Sequence, residues 1–417
     1  MKLYKLKDVA TIEISGVDKK FKEDEIPIYL CNFTDVYYNW AITSDIRNNF
    51  IAASANKKEI DRFKLRKGQV ALTKDSETRY DIGISTYIAE DFKDVILGYH
   101  CALITPNKDK INGKYLNAFI HSDYIRKYFE NSASGSGQRY SLSVQTLEDM
   151  PILLPSIEKQ QHIGKILSDI DRKIALNKAI NHNLEAMAKQ LYDYWFVQFD
   201  FPNQDGKPYK SNGGKMVWNE KLKREIPEGW STGSLLDIAV YTNGLACQKF
   251  RPINDNRLPV IKIKEMHDGI TSETEYVRGD IPEANKIYDG DILFSWSASL
   301  EIMLWSYGLG GLNQHIFKVT SKNEYPRSFY FYQLTDYIDH FKKIAEARKT
   351  TMGHITQDHL QQSIIPLPPT NDIANKLEQK LCPIFNAIIS NNQEIISLTK
   401  QRDELLPLLI NGQVMVG

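Results

Sequence analysis

Two segments of the chain repeat the same spacing of core-type positions, and this spacing predicts long helices. From Ile170 to Leu191 the pattern advances in alternating steps of four and three residues, and it does so again from Ile384 to Leu405. Such steps mark the a and d positions of a coiled-coil seam. The predicted seam consists of Ile170, Ile174, Asn177, Leu184 and Leu191 in the first segment, and of Ile384, Ile388, Asn391, Ile395, Leu398 and Leu405 in the second.

A proline followed by a good N-cap residue marks the start of each predicted helix, at Pro155-Ser156 and at Pro369-Thr370. A helix of about 38 residues is about 57 Å long. Antiparallel pairing is favoured, because the intervening chain joins the end of one helix to the start of the other. Asparagine at the equivalent seam positions 177 and 391 then fixes the register. The alternative is that each helix packs only on its own globule.

The segments between the helices predict two mixed globules. Short alternating or β-branched runs indicate strands, and Gly, Asn and Asp punctuation separates them. The strand predictions are residues 26–30, 69–73 and 101–105 before the first long helix, and residues 260–263, 291–294 and 316–319 before the second. Helical patterns cover residues 115–131 and 328–347. The predicted fold class is therefore α+β.

The second half of the chain repeats the first. Asp8-Val9-Ala10 resembles Asp237-Ile238-Ala239, which lies 229 residues later, and Asp123-Tyr124-Ile125 recurs as Asp336-Tyr337-Ile338, which lies 213 residues later. His100 matches His315 at an intermediate offset of 215. Because the matches keep one order while the offset shrinks, they indicate a duplication with loop deletions in the second copy.

Composition narrows the function without revealing chemistry. The 417 residues contain 52 Lys plus Arg and 52 Asp plus Glu, which excludes a uniformly basic nucleic-acid binder but allows local basic patches. The four cysteines are scattered and predict reduced thiols, with no metal site. No phosphate-binding loop, dinucleotide fingerprint or zinc-protease motif is present, so no catalytic residue is predicted. The absence of a leader or a long apolar run predicts a cytoplasmic protein.

Two pairs of loops at matched positions carry the side chains expected at a DNA surface. Arg, Lys, Ser and Thr suit phosphates, while Gln, Asn and aromatic groups suit base edges. Their sequences differ between the copies although the helices agree, as expected of two readers with different targets. The DNA-binding candidates are Lys74, Ser76, Arg79, Tyr80, Ser136, Gln138, Arg139 and Tyr140 in the first copy, and Ser295, Trp296, Ser297, Arg348, Lys349, Thr351 and His354 in the second.

Six motifs lie at the starts and ends of the long helices and in the segment that joins the two copies. They are Leu153-Leu154-Pro155-Ser156-Ile157-Glu158-Lys159-Gln160, Tyr194-Trp195-Phe196-Val197-Gln198-Phe199-Asp200-Phe201-Pro202-Asn203, Gly206-Lys207-Pro208-Tyr209-Lys210, Ile226-Pro227-Glu228-Gly229-Trp230, Ile365-Pro366-Leu367-Pro368-Pro369 and Leu405-Leu406-Pro407-Leu408-Leu409-Ile410-Asn411-Gly412. The aromatic motif that begins at Tyr194 could serve as core or as a partner surface. Together these motifs resemble the specificity (S) subunits of type I restriction-modification enzymes. The segment before the second helix departs from the pattern of that family, because Asn371-Asp372 stands where a Glu-Gln pair is usual.

The resemblance implies target recognition domains at residues 1–155 and 230–368, helical spacers at 156–200 and 369–417, and a connector at 201–229. Each domain is then expected to read half of a bipartite double-stranded DNA site, while the helices set the spacer and dock two modification subunits. S-adenosylmethionine is expected on those subunits, and ATP and Mg on two restriction subunits, with no cofactor on this chain. Other classes remain open, namely a protein-binding scaffold and a nuclease with an unrecognised carboxylate site.

Overall fold

The structure is a computed structural model that describes residues 2–136, 139–271, 273–297, 299–347 and 354–410. The chain forms two compact units. The first unit comprises Met1–Ala175 with Ser397–Gly417, and the second comprises Leu176–Ile396. Each unit therefore combines one globule with part of each long helix. The five segments expected from the sequence stay a prediction, because the two units are defined by their internal contacts, which do not test the segment boundaries.

The first unit is built from short strands and helices that alternate along the chain. Its strands are β1 (Lys2–Lys5), β2 (Ala10–Ile14), β3 (Ile26–Cys31), β4 (Ala41–Ile42), β5 (Ile51–Ala55), β6 (Val70–Thr73), β7 (Asp75–Ser76), β8 (Ser85–Ile88), β9 (Val95–Leu97), β10 (Cys101–Pro106), β11 (Ser134–Ser136), β12 (Arg139–Ser141) and β13 (Pro151–Leu154). Its helices are α1 (Phe33–Tyr38), α2 (Lys57–Phe63), α3 (Gly113–Ile120), α4 (Asp123–Ser132), α5 (Val144–Glu148) and the start of α6 (Ile157–Tyr192).

The second unit repeats this plan and begins within α6. Its strands are β14 (Met216–Asn219), β15 (Arg224–Pro227), β16 (Ser231–Ser234), β17 (Ala239–Asn243), β18 (Arg257–Ile261), β19 (Tyr276–Arg278), β20 (Lys286–Ile287), β21 (Ile292–Ser295), β22 (Glu301–Leu304), β23 (Gly310–Leu312), β24 (Ile316–Ser321) and β25 (Ile364–Leu367). Its helices are α7 (Leu235–Ile238), α8 (Ile263–Asp268), α9 (Arg327–Ala347), α10 (Gln357–Gln362) and most of α11 (Asp372–Ile410).

Strand pairing confirms the duplication that the sequence predicts. The first unit holds a sheet of order β2-β10-β6-β8-β4, and the second holds β17-β24-β21-β22. In both, the first strand of the globule pairs antiparallel with the last, as β1 with β13 and β16 with β25. Both also contain a parallel pair outside this sheet, β3 with β9 and β18 with β23, and the first unit has a second parallel pair, β4 with β8. The α+β class is confirmed with its repeat.

Two predicted elements differ in detail. Residues 115–131 form two helices instead of one, because Ser122 takes an extended conformation between α3 and α4 and its hydroxyl accepts from the Ile125 N–H. Such capping ends one helix and starts the next. Three rings of the aromatic stretch after α6 are core: Trp195, Phe196 and Phe199 are at most 3% exposed, whereas Tyr194 is 36% exposed. The partner-surface interpretation of these rings is therefore wrong.

The two long helices pair antiparallel. In the second unit the Asn391 side-chain N–H donates to Asn181 Oδ1 at 2.8 Å, and Asn177 donates to Glu394 at 2.8 Å. In the first unit Arg402 donates to Asp171 at 3.2 Å. Partner numbers on α11 fall as numbers on α6 rise, which only an antiparallel pair produces. The equivalent asparagines 177 and 391 therefore contact different partners.

Burial along the helices follows the predicted seam. Ile174, Asn177 and Ile388 are buried. The other predicted seam residues are half-buried, and they are Ile170, Leu184, Leu191, Ile384, Asn391, Ile395, Leu398 and Leu405. The spacing of three and four thus describes the face along which each helix packs.

Different side chains attach the two helix starts to their globules. Gln160, which is 1% exposed, accepts from the Asn112 N–H and donates to the Lys110 carbonyl. At the second start, where the family motif is interrupted, Asn371 donates to the Asn323 carbonyl at 2.8 Å. Asn371 at the second helix start therefore makes a different hydrogen bond from Gln160 at the first, but each helix start is still hydrogen-bonded to its globule.

Candidate nucleic-acid interface

A buried carboxylate organises the candidate contact residues of the first unit. Asp75, with 11% of its side chain exposed, begins β7 and accepts hydrogen bonds from Lys74 Nζ at 2.8 Å and from Ser141 Oγ at 2.6 Å. Its second oxygen lies 2.5 Å from His100 Nδ1. A guanidinium nitrogen of Arg139 lies 2.8 Å from the same His100 nitrogen. We call these five residues the carboxylate cluster.

Backbone geometry brings these residues together from three separate segments. β7 and β11 flank β12 in a small antiparallel sheet, which places Tyr140 opposite Ser76. His100 lies in a turn with φ of +67°, an uncommon conformation for a residue with a side chain, and its carbonyl accepts from the Lys74 N–H. Such strain at a polar cluster points to a positional requirement on the His100 ring.

The charge of Asp75 is held in place by its neighbours. Burial acts to raise the pKa of Asp75, but the hydrogen bonds from Lys74, Ser141 and His100 outweigh it and hold that pKa below its ordinary value. Asp75 is therefore ionised at neutral pH, and its donors keep fixed positions. Arg139, whose side chain is 62% exposed, can reach an external ligand from this anchored base.

The remaining first-unit candidates lie around the cluster. The Arg79 guanidinium lies 5.3 Å from the centre of the Tyr140 ring, and Tyr80 is 82% exposed. Ser76 accepts from the Thr78 N–H at 3.2 Å. Ser136 pairs through its backbone with Arg139. Gln138 lies outside the described residues.

An indole takes the central place at the matched position of the second unit. Trp296 follows β21 as Lys74 follows β6, and its N–H donates to Asn243 Oδ1 at 3.1 Å. The Trp296 ring lies 5.6 Å from the His315 ring and 5.3 Å from the His354 ring, measured between centroids. We call these four residues the indole cluster.

Matched backbone hydrogen bonds show that the two clusters occupy equivalent places. The Lys74 N–H donates to the His100 carbonyl at 2.9 Å, as the Trp296 N–H does to the His315 carbonyl at 3.3 Å. The Lys74 carbonyl accepts from Leu142, as that of Trp296 accepts from Ile355. One backbone frame therefore presents a carboxylate with cations in one copy and an indole with two histidines in the other.

The other second-unit candidates are placed differently. Ser295 and Ser297 are 0% and 4% exposed, and the Ser295 hydroxyl accepts from the Glu301 N–H at 2.9 Å. The Ser295 hydroxyl is thus buried and hydrogen-bonded within the globule. Arg348, Lys349 and Thr351 lie outside the described residues. The assignment of individual candidates as DNA contacts stays a prediction.

The sequence candidates did not include Asp75, His100, His315 or Asn243. His100 and His315 carry a signal, because they match each other in the repeat and each comes directly before a predicted strand. Asp75 gave none, since a carboxylate is not expected to face DNA phosphates. Its role emerges only from the three chain segments that converge on it.

Among the residues that the structure describes, no group of three or more His, Cys, Asp or Glu side chains is arranged to hold a metal ion. No described helix is long and apolar enough to cross a membrane.

Comparison with known families decides what this frame is. The model of the type I restriction modification DNA specificity domain matches twice, at residues 1–186 and 227–401. The chain belongs to this family. The resemblance noted in the sequence is confirmed, and the two matches coincide with the two copies of the repeat. Recognition of DNA within a type I restriction-modification complex follows from membership.

Relatives along the whole chain agree with this assignment. The chain is 27% identical over 319 residues to the type I restriction enzyme MjaIX specificity subunit of Methanocaldococcus jannaschii, covering 74% of this chain and 71% of that one. It is 23% identical to the HindI specificity subunit of Haemophilus influenzae, with 99% of each chain covered. The S subunit of a type I restriction-modification system from M. genitalium, known from a crystal structure, has the same fold. The TM-score is 0.56 at 11% sequence identity, and the match covers 98% of this chain and 95% of that one.

Proposed function

We propose that each globule reads one half of a bipartite DNA site, with the carboxylate cluster reading one half and the indole cluster the other. One observation carries this proposal. The two clusters share a backbone frame, including the hydrogen bond to the His100 or His315 carbonyl, but present unlike side chains. A duplicated frame with divergent side chains is what recognition of two different base sequences requires.

The helix pair is the proposed spacer between the half-sites. Its antiparallel pairing and its asparagine contacts fix one register of the two helices. The same helices are proposed to dock two modification subunits. Leu176, Ile180 and Met187 support this, because they are 54%, 38% and 48% exposed on α6 away from the buried seam. An exposed apolar stripe on a helix suits a partner helix.

The chemistry belongs, in this proposal, to the partner subunits. The chain contributes recognition and is not itself an enzyme. Two modification subunits would carry S-adenosylmethionine and methylate an adenine that is flipped out of the duplex. Two restriction subunits would use ATP and Mg for cleavage. The proposed location is the cytoplasm, where such a complex meets DNA.

Methylome mapping tests the proposal. Cells that lack other methyltransferases are made to express this chain with its cognate modification subunit, and modified adenines are mapped by long-read sequencing. The expected motif has two specific halves separated by a fixed number of unspecified base pairs. Expression of the modification subunit alone is the control. A continuous motif, or the same motif without this chain, would refute the proposed function.

A further inference from the structure

A cationic groove lies in the first unit at the end of the sheet opposite the carboxylate cluster. Its cavity volume is about 1150 Å³, and its floor includes Gly68 and Gln69 before β6 and Thr105 near the end of β10. The carboxylate cluster follows the other end of β6. Because β6 and β10 run antiparallel, the groove and the cluster lie at opposite ends of the strands of the five-stranded sheet. The groove is therefore a separate surface.

The lining of this groove is strongly and asymmetrically charged. It carries six cationic side chains and only three acidic ones. Glu13 is paired with Arg62 at 2.6 Å, and Asp91 accepts from the Lys67 backbone N–H. The other five cations form no ion pair with any residue that the structure describes, and they are Lys58, Lys64, Arg66, Lys67 and Lys108. Unpaired cations lining one concave surface attract a polyanion.

The carboxylate cluster offers few free cations to DNA phosphates, although Arg139 is exposed enough to contact a base. Lys74 is bound to Asp75, and Arg139 lies against His100 within 3.9 Å of the same carboxylate. Contacts to phosphates make up half or more of the hydrogen bonds in protein–DNA interfaces and supply most of the electrostatic affinity. The groove holds the free cations that the cluster does not.

We propose that this groove binds the phosphate backbone of the DNA whose half-site the first unit reads. This inference rests on the proposed function. Lys67 and Lys74 are seven residues apart, so an extended chain separates them by at most about 23 Å. At 3.4 Å per base pair, the groove meets phosphates up to about seven base pairs from the bases that the cluster contacts. Tyr87 in the lining is only 7% exposed, so it offers no surface on which a base could stack. The groove therefore suits contacts to the phosphates of the DNA backbone and not to its bases.

The test uses the complete complex of this chain with its modification subunit. The triple variant Lys64→Ala, Arg66→Ala, Lys67→Ala removes three unpaired groove cations. The control carries Lys19→Ala, Lys93→Ala and Lys127→Ala, which remove equal charge from exposed positions outside the groove. Affinity for a duplex carrying the mapped motif is measured across a fourfold range of salt concentration, and phosphate contacts are mapped by ethylation interference.

The groove variant is expected to reduce the slope of log affinity against log salt by about 2.7, at 0.9 for each lost phosphate contact. The affinity ratio of wild type to variant then changes about 40-fold over a fourfold salt range. Interference should disappear at phosphates within about seven base pairs of the first half-site. An unchanged slope with unchanged interference overturns the proposal. Weakened assembly at an unchanged slope also overturns it and assigns the groove to a protein partner. Failure of the wild-type complex to bind its motif would instead refute the proposed function.

Discussion

Asp75→Asn is predicted to relax recognition of one half-site while leaving the other intact. The substitution keeps the shape of the side chain but removes the charge that holds Lys74, His100 and Arg139. Asp75 is only 11% exposed, and three donors lie within 2.8 Å of its oxygens. Hydrogen bonds to charged groups contribute about 1.5–3 kcal/mol each, and the partial exposure of Lys74 reduces its share. A stability loss of about 2 kcal/mol is expected at neutral pH.

The effect on DNA follows from misplacement of the Arg139 guanidinium. A bidentate base contact contributes about 1–3 kcal/mol to discrimination. Loss of that contact lowers discrimination at the first half-site about 5- to 150-fold. Arg139→Ala should produce a similar loss, because Asp75 acts through Arg139. Ser141→Ala, which removes one donor but leaves the carboxylate charge, is the matched control with a smaller effect.

The assay is competition binding with duplexes altered in one half-site at a time. Asp75→Asn should tolerate changes in the first half and still reject changes in the second. The pH dependence gives an independent readout. Because the folded-state pKa of Asp75 is lowered, its stabilisation is complete above the ordinary value and is lost as pH falls through the lowered one. Equal relaxation of both halves, or none in a folded complex, would refute the role of Asp75.

Trp296→Ala is predicted to relax only the second half-site in the same competition assay, since the indole contacts His315 and His354, which belong to the second unit. Asn181→Leu should lower the free energy of unfolding by about 1–3 kcal/mol in denaturant titrations, because the Asn391 amide loses its acceptor. Burial raises the pKa of Asp171 to about 7 although Arg402 acts to lower it, so the contribution of this group to stability should fall as pH rises from about 4 to 7, by up to about 1.4 kcal/mol per pH unit, and Asp171→Asn should remove this contribution from the pH profile. Insertion of one helical turn near residue 177 with a matching turn near 391 should shift the spacer preferred in a methylation library by about one or two base pairs with both half-sites unchanged.

The long-range organisation could be predicted from the sequence because it rests on periodicity. The seam spacing and the ordered repeat specify the helices, their antiparallel pairing and the two globules. The register of the helix pair is harder to predict, because residues at equivalent positions of the repeat need not contact each other. Asn177 and Asn391 occupy equivalent positions, yet Asn391 contacts Asn181 across the pair. Antiparallel symmetry produces this offset, and only a structure gives its size.

Side-chain environment at the candidate site was the least predictable feature. Ser295 looks like a phosphate contact in a polar loop, but the short turn to β22 uses its hydroxyl internally. Asp75 carries a charge that repels DNA phosphates, and the loop sequence gives no sign that it binds the neighbouring cations. The role of Asp75 depends on His100 and Ser141, which are distant in sequence, so no local pattern reports it.

Exchange of residues 230–368 for the same region of another family member tests the central claim most directly. The hybrid is expressed with the modification subunit, and its methylated motif is mapped and compared with that of the parent. Two independent readers on one helical frame predict that one half of the motif changes while the other half and the spacer stay the same. A change in both halves, or no change in an active complex, would contradict the account.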